Sequence, residues 1–497
     1  MCYRKALVAC SLGVCALIVA CSTGGGTGGV PDDGRMLDRV ASEKFEYGST
    51  AVGRDRDINL HRGDGLGLVY APALSVYLNS VLSRLVAVAP VEAMPVRVFL
   101  QATPQWGASS SADANIYLNL GLLMGLENED ELAAVLAHEL SHVVLQHHTS
   151  DQFENTGENV KTMTRVAQGV EMGLLMAGVM DAPVVSGNEL LEHQADLVEL
   201  STLVISPTWN RRQETEADIL GTDLLIGAGY NKVAMLTVLD KQRAFEESLA
   251  ADQASAPAPT KESRKAEKRR MINLGGVQVD MNLAKMVGPL GRKHRKAEDR
   301  REIVQAYINR EYRRAPRPRI KGAQWSVIVE GGTTKALLAN YARAFDAEQR
   351  LVSGDVDGAV RDLAEAVGEP TSSHAYPRFL FAQTWLQQGD SERALRNLES
   401  AFDNLEPSVK IFQSASAVHL DAGRTAEAVA VLERAYKLFE GTPGLTPDLI
   451  RAYRASGRDD AARQVARRCE RDYPRLKDLC DPDAGDSGFR VRVSARD

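Results

Sequence analysis

Several things are scarce in this 497-residue chain, and each scarcity removes a class of function. Cysteine is rare and unclustered: Cys2, Cys10, Cys15, Cys21, Cys469 and Cys480 are spaced too widely to build a thiolate metal site. No G-x-S-x-G turn occurs, which removes the nucleophile elbow of serine hydrolases. Basic charge is not in excess. With 59 Lys plus Arg against 66 Asp plus Glu, the formal net charge of −7 argues against nucleic acid as the general partner. The apolar stretch at residues 6–20 is shorter than a comfortable membrane span.

What is present reads as a folded chain of at least two domains, since 44% hydrophobic and 25% charged residues over this length exceed one ordinary core. Arg4 and Lys5 precede the apolar stretch, which ends Leu17-Ile18-Val19-Ala20-Cys21. This pattern resembles a bacterial lipobox: a signal over 1–20, cleavage after small Ala20, and lipid carried by Cys21. Gly-rich residues 21–36 would be a flexible tether. Ser22, not Asp, follows the cysteine, which by the same resemblance places the lipoprotein on the periplasmic face of the outer membrane. Removal of the leader and acylation of Cys21 leave Cys469 and Cys480, which an oxidising compartment would join in a disulfide. Charge is uneven: residues 261–320 hold 18 Lys plus Arg against 7 Asp plus Glu, read as a solvated basic linker and helix.

Residues 37–250 read as one domain. Tyr77, Leu78, Val81, Leu82 and Leu85 have helical spacing, and residues 95–100 and 114–120 read as strands. A helix is predicted from Asn128, with Glu131 placed as in a capping box. Ala-, Ser- and Pro-rich residues then open an insertion or linker, 251–334, that carries a basic helix over 292–314. From 335 to 480 the chain repeats. Gly354, Gly389, Gly423 and Gly457 recur every 34 or 35 residues, with Ala359, Ala394, Ala428 and Ala462 in register and Ala366, Ala401, Ala435 and Cys469 seven further on. A turn glycine with small residues at helix crossings resembles tetratricopeptide repeats, whose helix pairs must stack to bury their apolar faces.

The chemistry sits in His138-Glu139-Leu140-Ser141-His142. Residues four apart share one helix face, so His138 and His142 can present two imidazoles to one Zn2+ per chain. Glu139 can reach a water beside the metal and take its proton as it attacks a carbonyl. His147 and His148 break the spacing and read as surface residues that suit the helix dipole. A third ligand is expected in Glu214-Thr215-Glu216-Ala217-Asp218, where spacing alone leaves Glu214 and Glu216 open, and Asp218 can hydrogen-bond a ligand histidine.

Residues 127–139 and 214–218, followed by Ala228-Gly229-Tyr230, resemble the HtpX- and BepA-type zinc metallopeptidases over roughly 37–245. That resemblance implies Glu214 as the third ligand. It also implies an α+β zincin-like metallopeptidase domain with a small sheet inside a mainly α chain, ahead of an α-solenoid of repeats. The implied function is a zinc-dependent endopeptidase of the cell envelope that acts on unfolded or misassembled envelope proteins, with outer-membrane assembly machinery as a partner through the repeats. Two departures stand out. Residues 105–111 replace an Asn-Ala segment usual before the strand that precedes the active helix. His294, the candidate regulatory histidine, is followed by Arg295 where the family has proline. The rival reading is a chaperone-like interaction protein that uses its repeats and hydrolyses nothing. An extended substrate is expected to pair along the strand at 115–120.

Overall fold

A computed structural model describes residues 33–42, 58, 61–62, 67–91, 94–111, 113–147, 211–255, 271–274, 277–280, 297–472 and 480. The leader, Cys21, His148, His193, the segment 149–210 and His294 lie outside the described residues. The architecture is mainly helical with a small three-stranded sheet.

The sheet comprises β1 (Arg97–Gln101), β2 (Ala108–Ser110) and β3 (Asn115–Asn119) in the order β1-β3-β2. β1 runs parallel to β3 and β2 antiparallel to it. The alternation of Ile116 and Leu118 with Tyr117 and Asn119 suggests one exposed face, yet every residue of β3 is buried. The second face is closed by His61, whose ring stacks on Tyr117 at 3.4 Å between centroids. β3 is therefore central and has no open edge. Among the described residues the sheet's edge beside β3 is β2, a strand too short and polar to be read from periodicity.

Helices α2 (Pro72–Val86), α3 (Leu120–Gly125) and α4 (Glu129–Val144) pack with the sheet, α5 (Arg211–Gly227) and α6 (Val233–Ser255) pack on α4, and α1 (Met36–Ser42) packs on α5. Tyr77, Leu78, Val81, Leu82 and Leu85 are all buried on α2. Asn128 caps α4 by accepting from the Glu131 N–H at 3.0 Å, while the Glu131 carboxylate takes the Glu127 N–H at 2.9 Å. The acidic first turn of α4 is not a solvated face. Glu129 accepts from the Tyr77 hydroxyl and from Arg84, both at 2.8 Å. Asp130 accepts from the N–H groups of Asn231 and Lys321 at 2.7 and 2.6 Å. Glu131 pairs with Lys241 at 2.9 Å. Three neighbouring carboxylates thus fasten the start of α4 to α2, the turn at Asn231, the segment at Lys321 and α6, satisfying charges that burial would otherwise penalise heavily.

The stretch 251–334, read as an insertion or linker with a basic helix, carries regular elements. It contributes an antiparallel pair, β4 (Met271–Leu274) and β5 (Val277–Asp280), and the helices α7 (Ala297–Glu311) and α8 (Ala323–Ile328). Val304, Tyr307 and Trp325 join the main apolar cluster. The basic helix expected over 292–314 is described as α7, and it buries Arg300 together with Ala297, Val304, Tyr307 and Ile308. Tyr307 donates to Asp223 on α5 and accepts the Met36 N–H, so α7 also secures α1.

Eight helices follow in sequence-adjacent pairs: α9 (Gly332–Val352) with α10 (Val356–Ala366), α11 (Ala375–Gln387) with α12 (Ser391–Glu399), α13 (Val409–Asp421) with α14 (Thr425–Leu438), and α15 (Thr446–Ala455) with α16 (Asp459–Asp472). Gly354, Gly389, Gly423 and Gly457 each sit between the two helices of a pair with φ of 69–83°, the left-handed cap that favours glycine. The alanines in register, and Cys469, are buried where the helices cross. The first pairs share one apolar cluster with the sheet domain, which runs from Met36 to Val418. Arg62 and Glu406 bridge the two at 2.9 Å. Cys469 and Cys480 form a disulfide. Among the described residues no helix is long and apolar enough to cross a membrane.

The buried hub predicts that Glu129→Ala lowers stability by about 3 kcal/mol or more, since Arg84 and the hydroxyls of Tyr77 and Tyr230 lose their acceptor. Glu127→Ala, two residues away and 76% exposed, should change it by less than about 0.5 kcal/mol. Denaturant unfolding of the two variants side by side checks the contrast.

Candidate metal centre

The centre forms where α4 crosses α5. Gly221 sets the approach: a Cβ there would lie 3.1 Å from the His138 nitrogen and 3.2 Å from the Ala137 carbonyl carbon. With hydrogen in its place, the backbone of α5 lies against the turn of α4 that carries His138. Glu214 and Asp218, four apart on α5, therefore face His138 and His142, four apart on α4.

The Nε2 atoms of His138 and His142 face each other at 3.1 Å. A Glu214 oxygen lies 3.7 Å from His138 Nε2. One donor atom from each of the three residues falls within 4.8 Å of the others. Two imidazole nitrogens and a carboxylate converging with their lone pairs toward one point fit a divalent cation, and the nitrogen-oxygen donor set suits zinc. Glu216, the alternative left open by spacing, turns away from this point toward His147.

Each donor is steered from behind. The Asp218 carboxylate lies 3.0 Å from His138 Nδ1, which turns Nε2 toward the centre. Asp218 is gripped by Arg300 through two contacts of 2.7 Å, and the same guanidinium reaches Glu214 at 3.0 Å. Arg300, on α7, was not singled out from the sequence. It lies in a run of basic residues, and nothing local distinguishes a buried arginine from its solvated neighbours.

Burial alone would raise the Asp218 carboxyl, but Arg300 and His138 outweigh it and hold it at about 2. Burial pulls the His138 imidazole down, and Asp218 more than reverses this, leaving it raised. Glu139 is buried one residue from the first imidazole. Desolvation pushes its carboxyl up to about 7, with His138 opposing, and Ser110 of β2 lies beside it. A carboxyl poised near neutrality exchanges protons readily. His147, expected on the surface, is 5% exposed and lies 2.8 Å from His142. The helix stops before it, and the chain turns it inward.

Residues 72–284 match Peptidase family M48. The chain is 30% identical over 174 residues to the beta-barrel assembly-enhancing protease of Yersinia pestis, covering 35% of this chain and 34% of that protein. Against the protein of the same name from Escherichia coli (strain K12) it is 28% identical over 174 residues, again 35% and 34%. Against the mitochondrial metalloendopeptidase OMA1 of Schizosaccharomyces pombe it is 26% identical over 215 residues, 43% and 57%. The chain thus spans about a third of the length of the beta-barrel assembly-enhancing proteases it matches. These similarities support a metalloendopeptidase, and the matched stretch contains His138, Glu139, His142 and Glu214.

Zinc at about 100 times its dissociation constant should stabilise the protein by about 2.7 kcal/mol. His142→Ala and Glu214→Ala should each remove that gain. Arg300→Met should lower the metal-free stability by about 3–5 kcal/mol, because Asp218 and Glu214 would be buried without their counter-charge. Denaturant titrations with and without zinc read all three.

Proposed function

We propose that this protein is a zinc-dependent endopeptidase of the bacterial cell envelope that clears unfolded or misassembled envelope proteins. The observation that carries the reading is the convergence of His138, His142 and Glu214 donor atoms within 4.8 Å, with the Glu139 carboxyl buried on the same helix. Zinc, when bound, supplies a Lewis acid that polarises a carbonyl and acidifies water.

The chain's own residues account for the remainder. His138, His142 and Glu214 would hold the cation, with Asp218 and Arg300 fixing His138 and Glu214. Glu139 takes the proton of the attacking water and returns it to the leaving amine. β2 borders α4, and among the described residues no strand pairs with its outer edge. An extended peptide pairing there would lay its carbonyl alongside Glu139. That pairing reads main chain rather than side chains and suits unfolded substrates.

The helix pairs α9–α16 are proposed as tetratricopeptide repeats whose surface holds a substrate or a partner of outer-membrane assembly. The name shared by the bacterial relatives supports this direction. Cys21 is proposed as the lipid-bearing residue that tethers the enzyme to the outer membrane. His294 is the proposed regulatory histidine.

The test is digestion of an unfolded outer-membrane β-barrel protein by the purified chain. Cleavage should stop with a chelator and return with zinc. Glu139→Gln should keep its zinc and lose about 10²–10⁴-fold in rate. A Glu139→Gln protein that cleaves like the parent would sink the hydrolytic assignment. A wild type that never cleaves yet holds the unfolded chain in solution would favour the chaperone-like reading.

A further inference from the structure

His138 is steered by Asp218, and the second imidazole of the centre meets another histidine. His142 Nδ1 lies 2.8 Å from His147 Nδ1, and His147 Nε2 lies 3.4 Å from a Glu216 carboxylate oxygen. The other Glu216 oxygen accepts from Arg212 Nε at 3.0 Å. His142, His147 and Glu216 are all buried.

We propose that His147 is a positioning residue for the metal centre: it accepts the His142 Nδ1 proton, keeps His142 Nε2 free to ligate, and is itself held by Glu216. This rests on the metal reading given above. One proton arrangement fits both the 2.8 Å contact between the two rings and the 3.4 Å approach of Glu216 to His147. For Nε2 of His142 to donate its lone pair to a cation, the ring proton must sit on Nδ1. His147 Nδ1 must then accept, which places the His147 proton on Nε2, facing the Glu216 carboxylate. The reverse arrangement would put a proton on the atom that points at the centre.

The backbone shows that this contact is built. Five residues on a continuous α-helix would carry His147 about 140° round from His142, away from its ring. The helix instead ends at Val144, and Gln146 adopts φ of 52°, a left-handed conformation that costs a non-glycine residue about 1 kcal/mol or more. That turn swings His147 back beneath His142. The two ligand histidines are thus served by separate chains, Asp218 with Arg300 behind one and His147 with Glu216 and Arg212 behind the other. The alternating acids of α5 have distinct duties: Glu214 faces the centre, Glu216 serves His142 through His147, and Asp218 serves His138.

Zinc affinity, measured by competition with a chelating dye, tests this without reference to turnover. His147→Phe keeps a buried ring and deletes the acceptor. It should weaken zinc about 10–100-fold and shift the visible bands of the cobalt-substituted protein. His147→Asn places an amide oxygen where Nδ1 sits and should recover most of the affinity. Adding Glu216→Ala to His147→Phe should weaken zinc no further, since both lie on one chain. A His147→Phe protein with wild-type affinity and cobalt spectrum overturns the proposal. So does a His147→Asn protein as weak as His147→Phe, which is also the measure to use should the phenylalanine variant not fold. A wild type that binds one zinc separates these outcomes from failure of the metal reading, in which the wild type itself would take up none.

Discussion

The absence of a side chain at Gly221 is the constraint on which the centre depends. Helices that carry ordinary side chains at their contact stay about 8–10 Å apart. At that separation a glutamate on one helix reaches a histidine on the other only with an extended chain that samples many rotamers. The 3.1 Å space for a Cβ at Gly221 shows how close the α5 backbone lies to the turn bearing His138. Closeness converts three flexible side chains into donors with little freedom left. It also excludes water, which strengthens each charge interaction at the crossing.

Excluding water carries a cost in charge. Glu139, Glu214, Glu216 and Asp218 occupy one small volume at 6% exposure or less. A cluster of that kind is unstable unless positive charge enters it. Arg300 supplies part, anchored to Asp218 and Glu214 together. A divalent cation would supply the rest. The two sources divide the work: Arg300 neutralises the carboxylates from behind and leaves their forward oxygens and the imidazole nitrogens to converge. The basic stretch that reads as solvated therefore has a counterpart inside the domain, and α7 is as much a part of the centre as the two helices that bear the donors.

The same economy recurs at the start of α4. Glu129, Asp130 and Glu131 are buried at 1–3% exposure, and each is paired with residues far from it in sequence. They fix the axis of the helix that presents His138 and His142. An acidic first turn favours the helix dipole wherever it lies, so its composition suggested only a helix start. Its second use, as a three-way fastener to α2, α6 and the segment before α8, depends on partners 45 to 191 residues away.

Short-range pattern was sufficient for much of this protein. The four-residue offset between His138 and His142, the Asn128 cap, the buried stripe of α2 and the 34-residue recurrence of glycine and alanine all report helix geometry, which is local, so neighbouring residues encode it. Tertiary structure alone decided what lies across a gap. It placed Ser110 on an edge strand and brought Arg300 from a basic run to a carboxylate pair. It also turned His147 inward through a left-handed residue. Each of these depends on a partner distant in sequence or on one strained dihedral, and neither leaves a periodic trace in the chain.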